Sequence, residues 1–191
     1  GLGEGESARP GFDIWKLGRF VASRPTLADA FRSMNADQIQ QAIAAPADAD
    51  WRAFAKRFHE FMESYGFRGQ QEADVSVASW EENPAFVLSV IRTDAQASDE
   101  RDPMRHSKAA QKAREALEAD LASRVSRKAR REFLRVTGLA QHYARNRERT
   151  KACWVRSIRL SRPLLLELAG RAVREGLIDD SADFFYLTWA E

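Results

Sequence analysis

The feature that most constrains the fold is a long stretch without glycine or proline in the second half of the chain. It reads KAAQKAREALEADLASRVSRKARREFLRV over residues 108–136. Most of its residues are alanine, leucine, arginine, lysine or glutamate, which have high helix propensities. We therefore expect long helices over residues 104–161, with a break near Thr137 and Gly138, that form the two antiparallel arms of a helical hairpin.

Shorter helices are predicted on both sides of this stretch, because apolar residues recur there at steps of three and four between breakers. The strongest pattern, in DADWRAFAKRFHEFMESY, consists of Trp51, Phe54, Phe58, Phe61, Met62 and Tyr65. RPLLLELAGRAVREG predicts a late helix that ends at Gly176. No set of alternating segments sufficient for a sheet is present. The sequence predicts an all-α fold, a helical domain with a long antiparallel helical hairpin and shorter packed helices.

The composition is that of a globular domain large enough to bury its own core, with 191 residues, 44% hydrophobic and 30% charged. We treat residues 1–191 as a single helical domain with N-terminal helices (1–65), a motif loop (66–84) and helices with the long hairpin (85–191). Cys153 is the only cysteine, which excludes an internal disulfide. No apolar run approaches a membrane span, and the start does not resemble a signal peptide. We expect a cytoplasmic location and no membrane partner.

Charge is unevenly distributed, although the formal net charge is only +2. Residues 1–95 carry more acidic than basic side chains, and residues 96–191 carry more basic ones. The densest basic run extends from Arg124 to Arg135, and such a run usually forms the solvent-exposed face of a helix. The alternative is a stand-alone helical interaction module that binds nucleic acid through this run. Phe133 is the single aromatic residue there, which is sparse for base stacking.

Common catalytic signatures are absent from the sequence. It contains no G-x-x-x-x-G-K-[ST], no H-E-x-x-H and no G-x-S-x-G. His59, His106 and His142 are far apart in sequence, and none belongs to a pair with metal-ligand spacing. A lone helical thiol such as Cys153 usually serves packing. We predict no catalytic residue and no metal site in this chain.

One helical stripe combines apolar and cationic residues at steps of three and four. Its members are Leu139, Tyr143, Arg147, Lys151, Trp154 and Ile158. Charge within an apolar stripe is costly unless it is paired or meets a ligand, so Arg147 and Lys151 need an anionic partner. Two interpretations stay open, an internal salt bridge or the cationic wall of a pocket for a phosphoryl or carboxylate group. In the second interpretation Tyr143 and Trp154 also contact the substrate.

The segment YGFRGQQEADV, residues 65–75, is polar and glycine-rich and follows the aromatic helix. Gly66 and Gly69 suggest backbone conformations that other residues avoid. Arg68 could pair with Glu72 inside the loop, or Glu72 could be aimed at the cationic stripe. The sequence leaves both arrangements open.

Two motif regions carry a family resemblance. F-x-x-x-Y-G-F-R-G-x-x-E-x-D followed by W-x-x-x-P-x-x-V-L-x-x-I occupies residues 61–91, and RERTKACWVRSIRLSRPLLLELAGRAVREGLIDDSADFFYLTWAE occupies residues 147–191. In this order they resemble the central helical domain of rifampicin phosphotransferases and related phosphoenolpyruvate-synthase-like proteins. The first region contains Arg68, Gly69, Glu72 and Trp80, which the resemblance marks as motif residues with a structural role.

The resemblance implies a function that this chain cannot perform alone. Such proteins combine an ATP-grasp domain, a swivelling domain whose histidine carries the phosphoryl group, and a helical domain that holds the acceptor. This chain is similar to the acceptor domain and has neither of the other two signatures. The resemblance therefore implies no cofactor in this chain, ATP and Mg in other domains, and three partners: the ATP-grasp domain, the phosphohistidine domain and a small-molecule acceptor.

The resemblance also assigns site residues and shows where this chain departs from the pattern. The R-E-x-x-K motif places Arg147 and Lys151 by the acceptor site. The family commonly has histidine where this chain has Phe67, a proline-containing pair at Gln70 and Gln71, and often a proline near Ala78 and Ser79. These differences concern the identity of the acceptor and leave the predicted fold unchanged.

Overall fold

The computed structural model describes residues 8–188, apart from the side chain of Ala122. Within this range the backbone is helical without any strand, so the all-α prediction is confirmed. Seven α-helices follow one another as α1 (Arg9–Ala22), α2 (Pro25–Ser33), α3 (Ala36–Ala44), α4 (Ala49–Tyr65), α5 (Ala85–Gln96), α6 (Pro103–Arg124) and α7 (Arg127–Arg174), with short 3₁₀ turns at Asp99–Arg101 and Asp183–Tyr186.

Helices α1 to α5 pack around one apolar core that is centred on the aromatic face of α4. Phe54 is fully buried and meets Phe31 of α2 edge to face, with ring centroids 5.2 Å apart. Trp51 and Phe58, one turn on either side, also contact the Phe54 ring. Each such aromatic pair contributes about 1 kcal/mol beyond its buried area. The predicted apolar face of α4 is therefore the centre of the core.

Polar side chains define where several of these helices begin. Asn35 and Gln38 form a reciprocal capping box at the start of α3, and the Asp48 carboxylate accepts the backbone N–H of Trp51 at 2.8 Å at the start of α4. Such caps satisfy N–H groups that have no partner inside the helix and stabilise it by about 1 kcal/mol each. The short helices are thus specified locally as well as by packing.

The connection between the two long helices differs from the sequence prediction. The break lies at Val125 and Ser126, where both residues are extended and the Ser126 hydroxyl caps α7. The helix continues through Thr137 and Gly138, where a break was expected, because one exposed helical glycine costs only about 1 kcal/mol among strong helix formers.

Helix α7 is also longer than predicted, since it runs for 48 residues through Pro163 without interruption. Its last helical residue is Arg174, and the chain turns away at Gly176, the predicted terminating glycine, where a φ of 71° lets the Leu177 N–H bond to the Ala172 carbonyl at 2.9 Å. No helix in the described part of the chain is both long enough and apolar enough to cross a membrane.

The predicted hairpin does not bury a leucine seam. Leu117 and Leu121 on α6, and Leu134 and Val136 on α7, are all more than two-fifths exposed. Their side chains therefore contribute little hydrophobic stabilisation, and antiparallel pairing of the two arms along their length stays a prediction.

Gly18 allows α1 and α5 to approach closely. A β-carbon at this position would lie 2.6 Å from the Asp94 Cβ and 3.0 Å from the backbone nitrogen of Ala95. Real β-carbons do not approach other heavy atoms so closely, and the α5 backbone cannot yield as a flexible side chain would. The contact between these helices therefore depends on glycine at this position.

We predict that Gly18→Ala lowers the free energy of unfolding by about 1–3 kcal/mol, because the added methyl group forces the two helices apart. Gly11→Ala in the same helix is the matched control, since no atom lies within 4 Å of its new β-carbon. That control should be neutral or slightly stabilising. Urea denaturation of both variants measures the difference, and equal stability of the two would contradict the close approach.

Candidate functional site

The motif loop, residues 66–84, closes on itself at the end of α4. The Trp80 N–H donates to the Arg68 carbonyl at 2.7 Å, and the Glu81 N–H donates to the Gly66 carbonyl at 3.0 Å. The Trp80 ring stacks on Phe61 of α4, with centroids 6.2 Å apart. The base of the loop is therefore anchored to the core by backbone hydrogen bonds and one aromatic stack.

Helix α7 holds the other side of the loop with two buried arginines. Arg159 donates from Nη1 to the Val77 carbonyl, and Arg162 donates from Nη1 to the Val75 carbonyl. Arg162 also donates from Nε to both carboxylate oxygens of Glu82, at 2.7 and 3.0 Å. The carbonyls of this irregular loop have no backbone partners within a helix or a sheet. The guanidinium groups of Arg159 and Arg162 supply the hydrogen-bond donors that those carbonyls need.

Gly66 and Gly69 have a different role from the one predicted. Neither has a positive φ, because Gly176 alone among the described glycines does. A β-carbon at Gly69 would lie 2.8 Å from Arg159 Nη2, and one at Gly66 would lie 2.5 Å from the Met62 carbonyl oxygen. Both glycines provide space for neighbouring atoms rather than an unusual backbone conformation.

Glu82 connects the loop to α7. Its Oε2 accepts the backbone N–H and the hydroxyl of Ser79, both at 2.8 Å, in addition to the bond from Arg162. Partial burial alone would raise the pKa of the Glu82 carboxyl, but the hydrogen bonds from Ser79 and Arg162 outweigh it and lower that pKa. The ionised carboxylate is thus the form that the fold stabilises.

Glu72 lies between two cations, one from the loop and one from α7. Arg68 Nη1 donates to Glu72 Oε1 at 2.8 Å, and Lys151 Nζ lies 2.8 Å from Oε2. The side chains of Arg68 and Glu72 are 9% and 14% exposed, whereas that of Lys151 is 54% exposed. The two arrangements left open for Glu72 therefore occur together.

These residues border an open cleft of about 750 Å³. The loop residues from Arg68 to Val75 form most of its wall, and Lys151 is the contribution of α7. The wall includes Gln70 and Gln71, where the related family commonly has a proline-containing pair. A half-exposed ammonium at the edge of a polar cleft is well placed to meet an anionic ligand.

The other predicted substrate-binding residues also lie on α7, and all three are more than half exposed. Arg147 is 77% exposed and pairs with its neighbour Glu148 at 2.8 Å. Tyr143 and Trp154 are 68% and 52% exposed. The structure brings Lys151 to Glu72 and leaves Arg147 outside this ion pair. Binding of substrate by these four residues stays a prediction.

The premise that Arg147 and Lys151 lie in a buried apolar stripe is wrong. The buried face of α7 is shifted from the predicted one, and its members are Ala152, Val155, Arg159, Arg162 and Ala169. Two of these five are arginines, so an apolar pattern does not reveal the face. Ala152, Val155, Arg159 and Arg162 share one helical face, but the same steps of three and four occur on every face of α7, so the sequence carries no local signal that distinguishes it.

A second cation of α7 contacts the position that departs most clearly from the family pattern. The Arg156 guanidinium carbon lies 4.5 Å from the centre of the Phe67 ring, a distance typical of cation–π attraction. Arg68 contacts the same ring at 5.6 Å. Phe67 therefore acts as an apolar platform between the loop and α7.

We predict that Glu82→Gln destabilises the fold by about 1–2 kcal/mol at pH 7, because it replaces a charge-assisted pair with a neutral one. The pKa of Glu82 is lowered in the fold, so its contribution is complete above the ordinary carboxyl pKa of about 4.3 and is lost as pH falls through the folded pKa. The stability difference between wild type and variant should therefore shrink at acidic pH.

Urea denaturation at several pH values between neutral and acidic measures this difference. Glu63→Gln, which removes an exposed carboxylate from α4, is the control and should change stability little at any of these pH values. If the difference in the free energy of unfolding between wild type and Glu82→Gln stays constant down to pH 3, the role assigned to the ionised Glu82 is contradicted.

Comparison with known proteins gives two relatives. The chain is 27% identical over 176 residues to the prodigiosin synthesizing transferase PigC of Serratia marcescens, a match that covers 91% of this chain and 19% of that protein. It is 30% identical over 79 residues to the uncharacterized phosphotransferase YvkC of Bacillus subtilis (strain 168), which covers 41% of this chain and 9% of that protein. The chain thus spans less than a fifth of either relative.

The family comparison covers more than the α1–α5 core. Residues 1–148 match the family described as the rifampicin phosphotransferase fourth domain, so the match includes the motif loop and Arg147 and stops within α7. Because this match takes in most of the chain, the chain belongs to the rifampicin phosphotransferase fourth-domain family.

Proposed function

We propose that this chain is the acceptor-binding domain of a multidomain phosphotransferase that moves a phosphoryl group from ATP, through a phosphohistidine, to a small-molecule acceptor. Its family and its similarity to a phosphotransferase and a transferase support the reaction class. The observation that carries the proposal is the half-exposed Lys151 ammonium beside Glu72 at the cleft of the motif loop.

Lys151 and Arg147 would stabilise the charge of the transferred group. They lie one helical turn apart on α7, and both side chains are more than half exposed, so they can turn toward an anion that enters from solvent. A guanidinium fork and an ammonium group suit the oxygens of a phosphoryl group, and their effect increases as water is excluded. Tyr143 and Trp154, exposed on the same helix, would contact the acceptor.

The remaining parts of the reaction would belong to other domains. In the described residues, no group of three His, Cys, Asp or Glu side chains is placed to hold a metal ion. From the family resemblance we place ATP and Mg in an ATP-grasp domain and the phosphohistidine in a swivelling domain of the same polypeptide. Those two domains and the acceptor would be the partners of this chain, which would be inert alone.

The nucleic-acid alternative has no support in the structure or in the comparisons. Two arginines of the basic run are paired on their own helices, Arg124 with Asp120 at 2.9 Å and Arg135 with Glu132. These pairs partly neutralise the surface on which such binding would depend.

We predict that Lys151→Met in a full-length enzyme lowers the rate of phosphoryl transfer by about 10²-fold, because the transition state loses one cationic contact. Arg147→Met should lower it in the same direction. Arg149→Met on the same helix is the control, since its exposed side chain lies two positions from both Arg147 and Lys151 and therefore on the other side of the helix. Transfer rates that stay at the control value in both variants would sink the proposed role.

We also predict that the isolated chain neither hydrolyses ATP nor phosphorylates an acceptor, because the ATP site and the phosphohistidine lie outside it. Release of phosphate and AMP from labelled ATP provides the measurement, and a full-length enzyme serves as the positive control. Turnover by the isolated chain above the no-protein blank would contradict the assignment as a binding domain.

A further inference from the structure

We propose that Glu72 is a positioning residue that holds the Lys151 ammonium at the cleft and releases it to an incoming phosphoryl group. The inference rests on the proposed function, in which Lys151 meets that group. Glu72 acts as an internal anion that stays paired with the Lys151 ammonium until the phosphoryl group of the substrate takes the place of the Glu72 carboxylate.

The geometry gives Glu72 two cations of very different character. Arg68 is buried and hydrogen-bonded to Oε1, so it already compensates the buried carboxylate. Lys151 Nζ lies at ion-pair distance from Oε2, but without the alignment of a hydrogen bond. The carboxylate would therefore stay paired if Lys151 left, and the departure of Lys151 would leave no uncompensated buried charge.

The two sides of this ion pair also differ in mobility. Glu72 is held by Arg68, whose backbone N–H donates to the Tyr65 carbonyl at 2.9 Å and whose carbonyl accepts the Trp80 N–H at 2.7 Å. The same loop is fixed to α7 by the guanidinium bonds of Arg159 and Arg162 to the Val77 and Val75 carbonyls. Lys151 instead reaches the pair along a flexible side chain that is 54% exposed. An anion in the cleft would thus move the lysine and leave Glu72 in place.

The charges favour exchange with a phosphoryl group over exchange with a simple carboxylate. A phosphate group carries a charge of about −1.5 to −2 near neutral pH, whereas Glu72 and an ordinary carboxylate carry one negative charge each. A monoanion must therefore displace from Lys151 a carboxylate of equal charge that is already in position. A phosphoryl group carries more charge and attracts the Lys151 ammonium more strongly. Glu72 would thus yield Lys151 to a phosphoryl group more readily than to a simple carboxylate.

Titration of the 191-residue chain with inorganic phosphate, and separately with acetate, tests the proposal by calorimetry or NMR. Glu72→Gln preserves the shape and an acceptor for Arg68 but removes the competing charge. We expect it to tighten phosphate binding about two- to fivefold and acetate binding by no larger factor, because it ends both the competition for Lys151 and the repulsion of the anion by Glu72. The double variant Glu72→Gln with Lys151→Met should lose the gain.

Glu81→Gln is the matched control, because it removes the same charge from the same loop at a residue that forms no ion pair with Lys151 in the described structure. A gain in this control equal to that of Glu72→Gln would mean a general charge effect and would overturn the proposal. Unchanged or weaker phosphate binding in Glu72→Gln, or no phosphate binding by any variant, would overturn it as well.

A second measurement does not depend on the stability of a variant. In the wild-type chain, the ¹³C signal of the Glu72 carboxylate should shift as phosphate draws Lys151 away, and a signal that stays constant at saturating phosphate would overturn the exchange. Neither experiment requires ATP or an acceptor. If these tests fail while Lys151→Met or Arg147→Met still slows transfer in a full-length enzyme, only the role of Glu72 is removed. Unchanged transfer in both Lys151→Met and Arg147→Met would instead remove the proposed role of the two cations in binding the phosphoryl group.

Discussion

The structure of the candidate site depends on the insertion of two arginines of α7 into the motif loop. Arg159 and Arg162 are buried and donate to the carbonyls of Val77 and Val75, and Arg162 also pairs with Glu82. A buried guanidinium requires acceptors and an irregular loop requires donors, so each partner meets a need of the other. The match is met at both loop carbonyls but is partial for Arg159, whose Nε and Nη2 have no hydrogen-bond partner among the described residues. This exchange stabilises both the loop conformation and the docking of α7.

This clamp separates the rigid part of the site from the part that can respond to a ligand. Toward the C-terminus of α7 the contacts to the loop are buried and specific, while toward its N-terminal half the side chains become exposed. Lys151 lies at the transition, with Glu72 on one side and the cleft on the other. A single helix therefore provides both the scaffold that fixes Glu72 and the flexible cation that Glu72 holds.

The sequence predicted the site only in part, and its errors have a common physical cause. Lys151 and Glu72 were correctly considered as partners, because a cation and a carboxylate in otherwise constrained segments need compensation. The sequence did not identify Arg159, Arg162 and Glu82 as site residues. In a sequence, a buried arginine cannot be distinguished from an exposed one when its acceptors are backbone carbonyls far away along the chain. Arg147 is exposed, contrary to the prediction from the stripe, for the same reason: the partner surface that defines burial lies outside the helix.

By itself the sequence determined the helical class, the apolar face of α4 and the end of α7 at Gly176, because propensity, spacing and the conformational freedom of glycine act within a few residues. Only the tertiary structure decided which face of α7 is buried, why Gly18 must lack a side chain, why Gly69 leaves room for Arg159, and which cation reaches Glu72. Those outcomes depend on the approach of segments about 70 to 90 residues apart, as between Gly18 and Asp94 or Gly69 and Arg159. No local pattern encodes such distances, since they follow from the packing of the whole core.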